Sequence, residues 1–213
     1  FFYNSTSTAF YQVILLIAGL ITPRIMLKYY GSEVNGLVSS INQFIKYFNL
    51  VEAGLSGAAI YALYKPLAGK DYKGVNRIVS AARKFYIQSG YIFVVLTVIL
   101  ALFYPMYVKT EVLYQYEVGF LVLISGVNGA LEFFTLSKYR VLLTADQKTY
   151  VISLASIVYT VINTIIIVAL GTAQINIVIL AFIALLSIFI RSIILMIYVR
   201  KNYKYIDYKA KPN

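Results

Sequence analysis

Along the chain, apolar residues gather into six long runs separated by short polar connections, at about 9–30, 37–64, 85–108, 116–136, 150–170 and 175–199. At a rise of 1.5 Å per residue, each run is long enough for a hydrocarbon core about 30 Å thick. The two-residue alternation of an outer-membrane strand is missing, and the stretch 162–168 (INTIIIV) is apolar on nearly all sides. Helices then satisfy the backbone inside lipid. The pattern predicts an all-α integral membrane protein, a single six-transmembrane-helix bundle over 1–213 that ends in a basic tail at 200–213. Residues 1–8 (FFYNSTST) carry no Lys or Arg, and no A-x-A site follows the first run, so that span is expected to be retained rather than cleaved. Pro23 is expected to kink it, and Pro66 and Gly69 to end the second helix. Val75, Ile78, Val79, Ala82 and Phe85 follow helical spacing in the second connection and predict a short amphipathic helix on the membrane surface.

Polar positions inside the apolar runs carry the candidate chemistry. Ser39, Asn42, Lys46, Asn49, Ala53 and Ser56 recur at steps of three and four and so share one face of the second helix, flanked by Gln43 and Glu52. Such a stripe lines a cavity or packs as a hydrogen-bonded seam. Five ionisable residues fall within the spans: Arg24, Lys46, Glu52, Glu132 and Arg191. Each costs about 2.5–3.5 kcal/mol on insertion scales, which directs it to an interior or a water-filled cavity. Arg24 also suits snorkelling to head groups, and Glu132 with Arg191 suits an internal ion pair or gate. Small residues at Gly54, Ser56, Gly57, Ala58 and Ala59, and at Gly119, Ser125, Gly126, Gly129 and Ala130, predict close helix contacts. Asp71 and Asp146 are expected to be solvated.

Composition fixes the class. The chain is 61% hydrophobic and 13% charged, with a mean hydropathy of +0.77, against about 45–50% and 25% in soluble domains. It has no Cys and no His, which excludes a disulfide, a His/Cys zinc site and a Ser-His-Asp triad; no P-loop occurs either. No catalytic residue, metal site or cofactor is expected. The net charge of +11 is distributed along the connections: six basic residues at 65–84, three at 138–148 and five at 200–211, or fourteen of nineteen. That asymmetry assigns those connections and both termini to the cytoplasm. It suits anionic lipid rather than nucleic acid as a partner. In the absence of Trp, Tyr residues near the helix ends are expected to form the interfacial belts.

Residues 21–71 resemble the start of bacterial polysaccharide flippases of the Wzx type, in the multidrug/oligosaccharidyl-lipid/polysaccharide exporter superfamily. The likeness is carried by YGSEVNG (30–36), VEAGLSGA (51–58) and LYKPL (63–67), and continues in NRIVSAARKFY (76–86) and LLTADQKTYV (142–151). The version is similar to those of Gram-positive capsule and exopolysaccharide loci. The resemblance implies a two-lobed fold around a central cavity, of which this chain is the N-terminal lobe. It also implies translocation of polyprenyl-diphosphate-linked oligosaccharide across the bacterial cytoplasmic membrane for surface polysaccharide biosynthesis, without catalysis. Arg24, Asn42, Lys46 and Asn49 are then substrate-cavity candidates, and Glu52, Glu132 and Arg191 candidates for an ion pair or gate. The implied partners are membrane lipids, a C-terminal lobe or second subunit, and polysaccharide polymerase or synthase proteins. A non-transporting scaffold subunit of a polysaccharide assembly complex is the alternative, as is a multidrug or lipid II exporter of the same fold.

Overall fold

The computed structural model describes residues 2–48, 50–108 and 110–207, the stretch 50–55 by its backbone alone. Regular structure among these residues is entirely helical: α1 (Phe2–Phe48), α2 (Leu50–Ala68), α3 (Tyr72–Tyr107), α4 (Gln115–Leu131), a π-helical turn (Glu132–Leu136), α5 (Ser137–Ala145), α6 (Thr149–Thr172), α7 (Ile177–Leu186) and α8 (Ile188–Asn202). Five helical stretches among them are long and apolar enough to cross a membrane: Phe2–Phe48, Tyr72–Tyr107, Gln115–Ala145, Thr149–Thr172 and Ile177–Asn202. Large apolar side chains such as Leu16, Ile99, Phe120, Ile165 and Ile197 are exposed around the bundle. Hydrocarbon is the solvent in which such a surface is stable.

The sequence pattern predicts six spans, and the difference lies in α1. Gly31 has φ 84° and ψ 172°, a conformation open only to glycine without strain. Thr22 and Met26 before it line the same cavity as Val38 and Asn42 after it, whereas in a straight helix Thr22 and Asn42 would stand about 30 Å apart. The chain therefore doubles back at Gly31. The turn is held by Tyr30, whose hydroxyl donates to the Ile175 carbonyl at 2.5 Å, and by Glu33, whose carboxylate accepts from the Glu111 N–H at 3.0 Å. At the opposite end of the bundle, Tyr64, Leu67 and Ala68 of α2 border Ala145–Gln147. The limb of α1 after Gly31 and α2 together thus return along the bundle. This return limb carries the predicted second span. Ser39, Ser40, Asn42, Gln43, Lys46 and Glu52 dilute its apolar content.

Packing meets some other expectations and corrects others. Pro23 lies inside α1, and the helix departs from helical φ/ψ at Gly31. α2 ends as expected, with Pro66 in its last turn and Gly69 directly after Ala68, and Lys70, at φ 53°, supplies the left-handed turn that follows. The segment expected to lie on the membrane surface is the first part of α3. Its Asp71 caps the helix by accepting from the Gly74 N–H at 3.0 Å, and its Val75 and Val79 are buried in the core. Among the tyrosines, Tyr61, Tyr107, Tyr114 and Tyr116 are exposed near helix ends, whereas Tyr104 and Tyr139 are buried. The small residues of α4 act as expected: a Cβ on Gly126 would overlap Thr97 of α3, and one on Gly129 would overlap the Phe93 ring.

After α8 the chain straps back over the bundle end. The Tyr203 hydroxyl donates to Asp146, which also pairs with Lys148 at 2.8 Å, and Lys148 stands 4.8 Å from the Tyr203 ring centroid. Asp146 is therefore a shared acceptor rather than a solvated loop residue. Asn76 donates to the Tyr205 carbonyl at 2.9 Å, and Ser80 to that of Asp207 at 3.3 Å. Asn4 ties the start of α1 to this end, through the Gln147 carbonyl and the Tyr150 N–H.

Replacing Gly31 with Ala is expected to lower stability by about 1–3 kcal/mol through backbone strain alone. Gly36→Ala, in open helical space, is expected to be neutral or stabilising by about 0.4–1 kcal/mol; thermal unfolding in detergent compares the two. Burial and the hydrogen bond to Asp146 raise the Tyr203 pKa. Its contribution is complete below the unfolded-state value of about 10 and falls as pH rises beyond it. Tyr203→Phe is expected to cost about 1.5–3 kcal/mol at neutral pH and to flatten the loss of stability above pH 10, measured by unfolding across that range.

Candidate functional site

A polar cleft opens where the α1 hairpin meets α6. Its outer part is a groove of about 530 Å³ between the two limbs of α1 and α6, lined among others by Asn35, Ser39, Asn42, Lys46, Tyr159 and Asn163. Its inner part is a cavity of about 190 Å³ that reaches α4 and α7 and adds Ser125 and Asn128. Thr22, Met26, Asn42, Tyr159 and Asn163 line both parts. Four carboxamides from three helices, Asn35, Asn42, Asn128 and Asn163, therefore line one cleft, with one amine among the described residues, Lys46, at the groove. Carboxamides both donate and accept, so the lining matches a hydroxyl-rich ligand, and the amine adds one point of attraction for an anion.

The local backbone explains this convergence. Doubling back at Gly31 brings Asn42 and Lys46 against α6 instead of extending them along α1. Asn163 donates to the Ala184 carbonyl at 3.1 Å and to the Ser187 hydroxyl at 3.0 Å. Those groups lie where α7 gives way to α8, so Asn163 satisfies a carbonyl close to a helix break. Tyr159 and Asn128 both line the inner cavity.

Beside the cleft lies the charged pair of the bundle interior. Glu132 begins the π-helical turn, and its carboxylate is hydrogen bonded to the Arg191 guanidinium; Arg140 approaches its other oxygen at 3.9 Å. The Arg191 side chain is only 13% exposed and its guanidinium stacks 5.2 Å from the Tyr159 ring centroid, which joins the pair to the cleft wall. Thr135 bonds back to the Leu131 carbonyl and Ser137 to that of Glu132, at 2.6 and 3.1 Å, where the wider π turn loosens the ladder.

Of the residues singled out in the sequence, Asn42 and Lys46 line the groove, and Glu132 and Arg191 form an ion pair. Arg24 is exposed and is not among the residues that line either part of the cleft. Asn49 and the Glu52 side chain lie outside the described residues. The polar stripe divides: Ser39, Asn42 and Lys46 face the groove, while Ser56 hydrogen bonds Tyr86 of α3 at 2.7 Å. Asn128, Tyr159 and Asn163 were not anticipated. Their signal was a lone amide or phenol in an otherwise apolar run, as at Asn163 within INTIIIV. No protein-family model, curated protein or solved structure matches the chain.

Removing Glu132 strands the Arg191 guanidinium within the bundle, whereas removing Arg191 leaves Glu132 partly exposed with Arg140 beside it. Glu132→Gln is expected to destabilise by about 3 kcal/mol or more, and Arg191→Gln by less. The double variant is expected to cost less than their sum by about 0.5–3 kcal/mol, as read by thermal unfolding in nanodiscs.

Proposed function

We propose that this chain is the N-terminal lobe of a Wzx-type flippase that moves polyprenyl-diphosphate-linked oligosaccharide to the outer leaflet of a bacterial cytoplasmic membrane. The observation that supports this reading best is the cleft: four carboxamides and one amine in a bundle whose outer surface is apolar. A scaffold has no need of a polar groove between membrane helices, whereas a translocator of a hydroxylated, anionic cargo does. In this reading the return limb of α1 and α2 is a sixth crossing. The end that carries the Lys- and Arg-rich connections is cytoplasmic, and so are both termini. A second lobe or subunit completes the cavity on the open side of the groove.

The roles follow from the side chains. Lys46 meets the diphosphate, and Asn42, Asn128 and Asn163 exchange hydrogen bonds with sugar hydroxyls. The Glu132–Arg191 pair, stacked on Tyr159, holds the α4–α8 side of the cleft together. Alternating access comes from rocking of one lobe against the other, without nucleotide hydrolysis.

The test is translocation of lipid-linked oligosaccharide in proteoliposomes, together with complementation of a flippase-null strain, using the complete gene. Lys46→Ala and Asn42→Ala are each expected to lower translocation about tenfold, the scale of one lost hydrogen bond to a charged or buried group. Arg24→Ala is expected to stay near wild type. Normal translocation by both cleft variants would exclude the cleft as the route, and no translocation by the unaltered protein would favour the scaffold.

A further inference from the structure

The two parts of the cleft differ in chemistry. To the lining they share, the groove adds the hydroxyls of Ser39, Thr160 and Thr164 and the amine of Lys46. The inner cavity adds mainly hydrocarbon, from Ile41 of α1, Leu121 of α4 and Leu180, Ala181 and Leu185 of α7, with Ser125 and Asn128 as the polar exceptions. Ile41, Leu121 and Leu180 belong to the packed core of the bundle. The cleft therefore passes from a hydroxylated, charged entrance to an apolar end set with a few amides.

The amides at that end differ in what they offer. The Asn163 nitrogen donates to the Ala184 carbonyl and to the Ser187 hydroxyl, which leaves its oxygen as the group that can accept from a ligand. Asn42, exposed on the cleft wall, offers both a donor and an acceptor. Volume limits what can enter. The inner cavity, at about 190 Å³, is smaller than the roughly 300–1,000 Å³ of sites that enclose a whole small ligand. It takes one substituent of a sugar, and the rest of an oligosaccharide stays in the groove.

A hydroxyl placed against Ile41, Leu121 and Leu180 gives up water without gaining a partner. A plain methyl leaves the carboxamides without one. An acetamido substituent answers both: its N–H suits the Asn163 oxygen, its carbonyl suits an N–H of Asn42 or Asn128, and its methyl suits the hydrocarbon wall. We propose that the inner cavity is a subsite for the acetamido group of an N-acetylated sugar. The inference deepens the transport reading and rests on it for the sugar and its lipid diphosphate.

The test places the complete gene product in nanodiscs with polyprenyl diphosphate carrying either N-acetylglucosamine or glucose, and measures the retained ligand by mass spectrometry. The same two ligands are followed for translocation in proteoliposomes. Wild type is expected to retain the N-acetylated ligand about tenfold over the plain one, the scale of one filled methyl site and one matched hydrogen bond. Ala181→Leu, which carries a larger side chain into the inner cavity, is expected to lose most of that preference by weakening the N-acetylated ligand alone. Phe182→Leu, next in the chain but exposed on the outer surface, is expected to keep it. If Ala181→Leu fails to fold, Ala181→Val is expected to lose part of the preference. Equal retention of the two ligands by wild type, or retention of neither, overturns the subsite. So does a preference that survives in the Ala181 variants or falls as far in Phe182→Leu. Preferential retention without translocation leaves the subsite standing and removes the transport reading, and translocation with equal retention does the reverse.

Discussion

The middle of a bilayer offers no water, so a polar group placed there must find its partner within the chain. That constraint accounts for the irregular features of this bundle better than helix propensity does. The π turn at Glu132–Leu136 loosens the backbone ladder, and Thr135 and Ser137 bond back to the preceding turns. The break between α7 and α8 is met from outside by Asn163, which spans the gap from α6 to Ala184 and Ser187. Glu132 and Arg191, each beside one of these irregularities, neutralise each other across α4 and α8. The buried Thr97 hydroxyl, packed on Gly126 where α3 and α4 approach closely, has no hydrogen-bond partner among the described residues.

The same constraint gives Gly31 its importance. A helix that continued straight through Gly31 would extend Asn42 and Lys46 away from the first limb of α1. With φ at 84° the chain folds back instead, and the second limb turns its polar stripe toward α6. The side chains that most need hydration are gathered in one groove, while the rest of α1 keeps apolar residues outward. A single backbone conformation thus separates the polar cleft from the lipid-facing surface.

Much of this was readable from residue pattern. Helical class and membrane setting follow from run length and composition. The Glu132–Arg191 pair follows from the cost of two opposite charges in apolar helices, and the close α3–α4 approach from Gly126 and Gly129. The reversal at Gly31 falls in the YGSEVNG turn between the first two apolar runs, although the φ/ψ that makes it leaves no periodic trace. Two features were not readable. The stretch 73–85 has the amphipathic spacing of a surface helix, but the strap at 203–207 and the core cover its apolar side, and only tertiary structure reveals that cover. Asn128 and Asn163 each stand alone in an apolar run, so no stripe marks them. Their role appears only when α4 and α6 converge with the return limb of α1.

Lys46 and Arg191 represent two different solutions to the same electrostatic problem. Arg191 is 13% exposed and meets a carboxylate and an aromatic face, so its charge is neutralised locally and suits a fixed structural joint. Lys46 is exposed on the wall of an open groove. A cation there is stable inside a membrane only if the groove holds water or an anion. In the proposed reading the groove holds water until an anionic group enters beside Lys46. The attraction is local to Lys46, whereas the carboxamides deeper in the cleft are neutral. An anion alone gains only the first contact; a ligand that is anionic at one point and hydroxylated beyond it gains both.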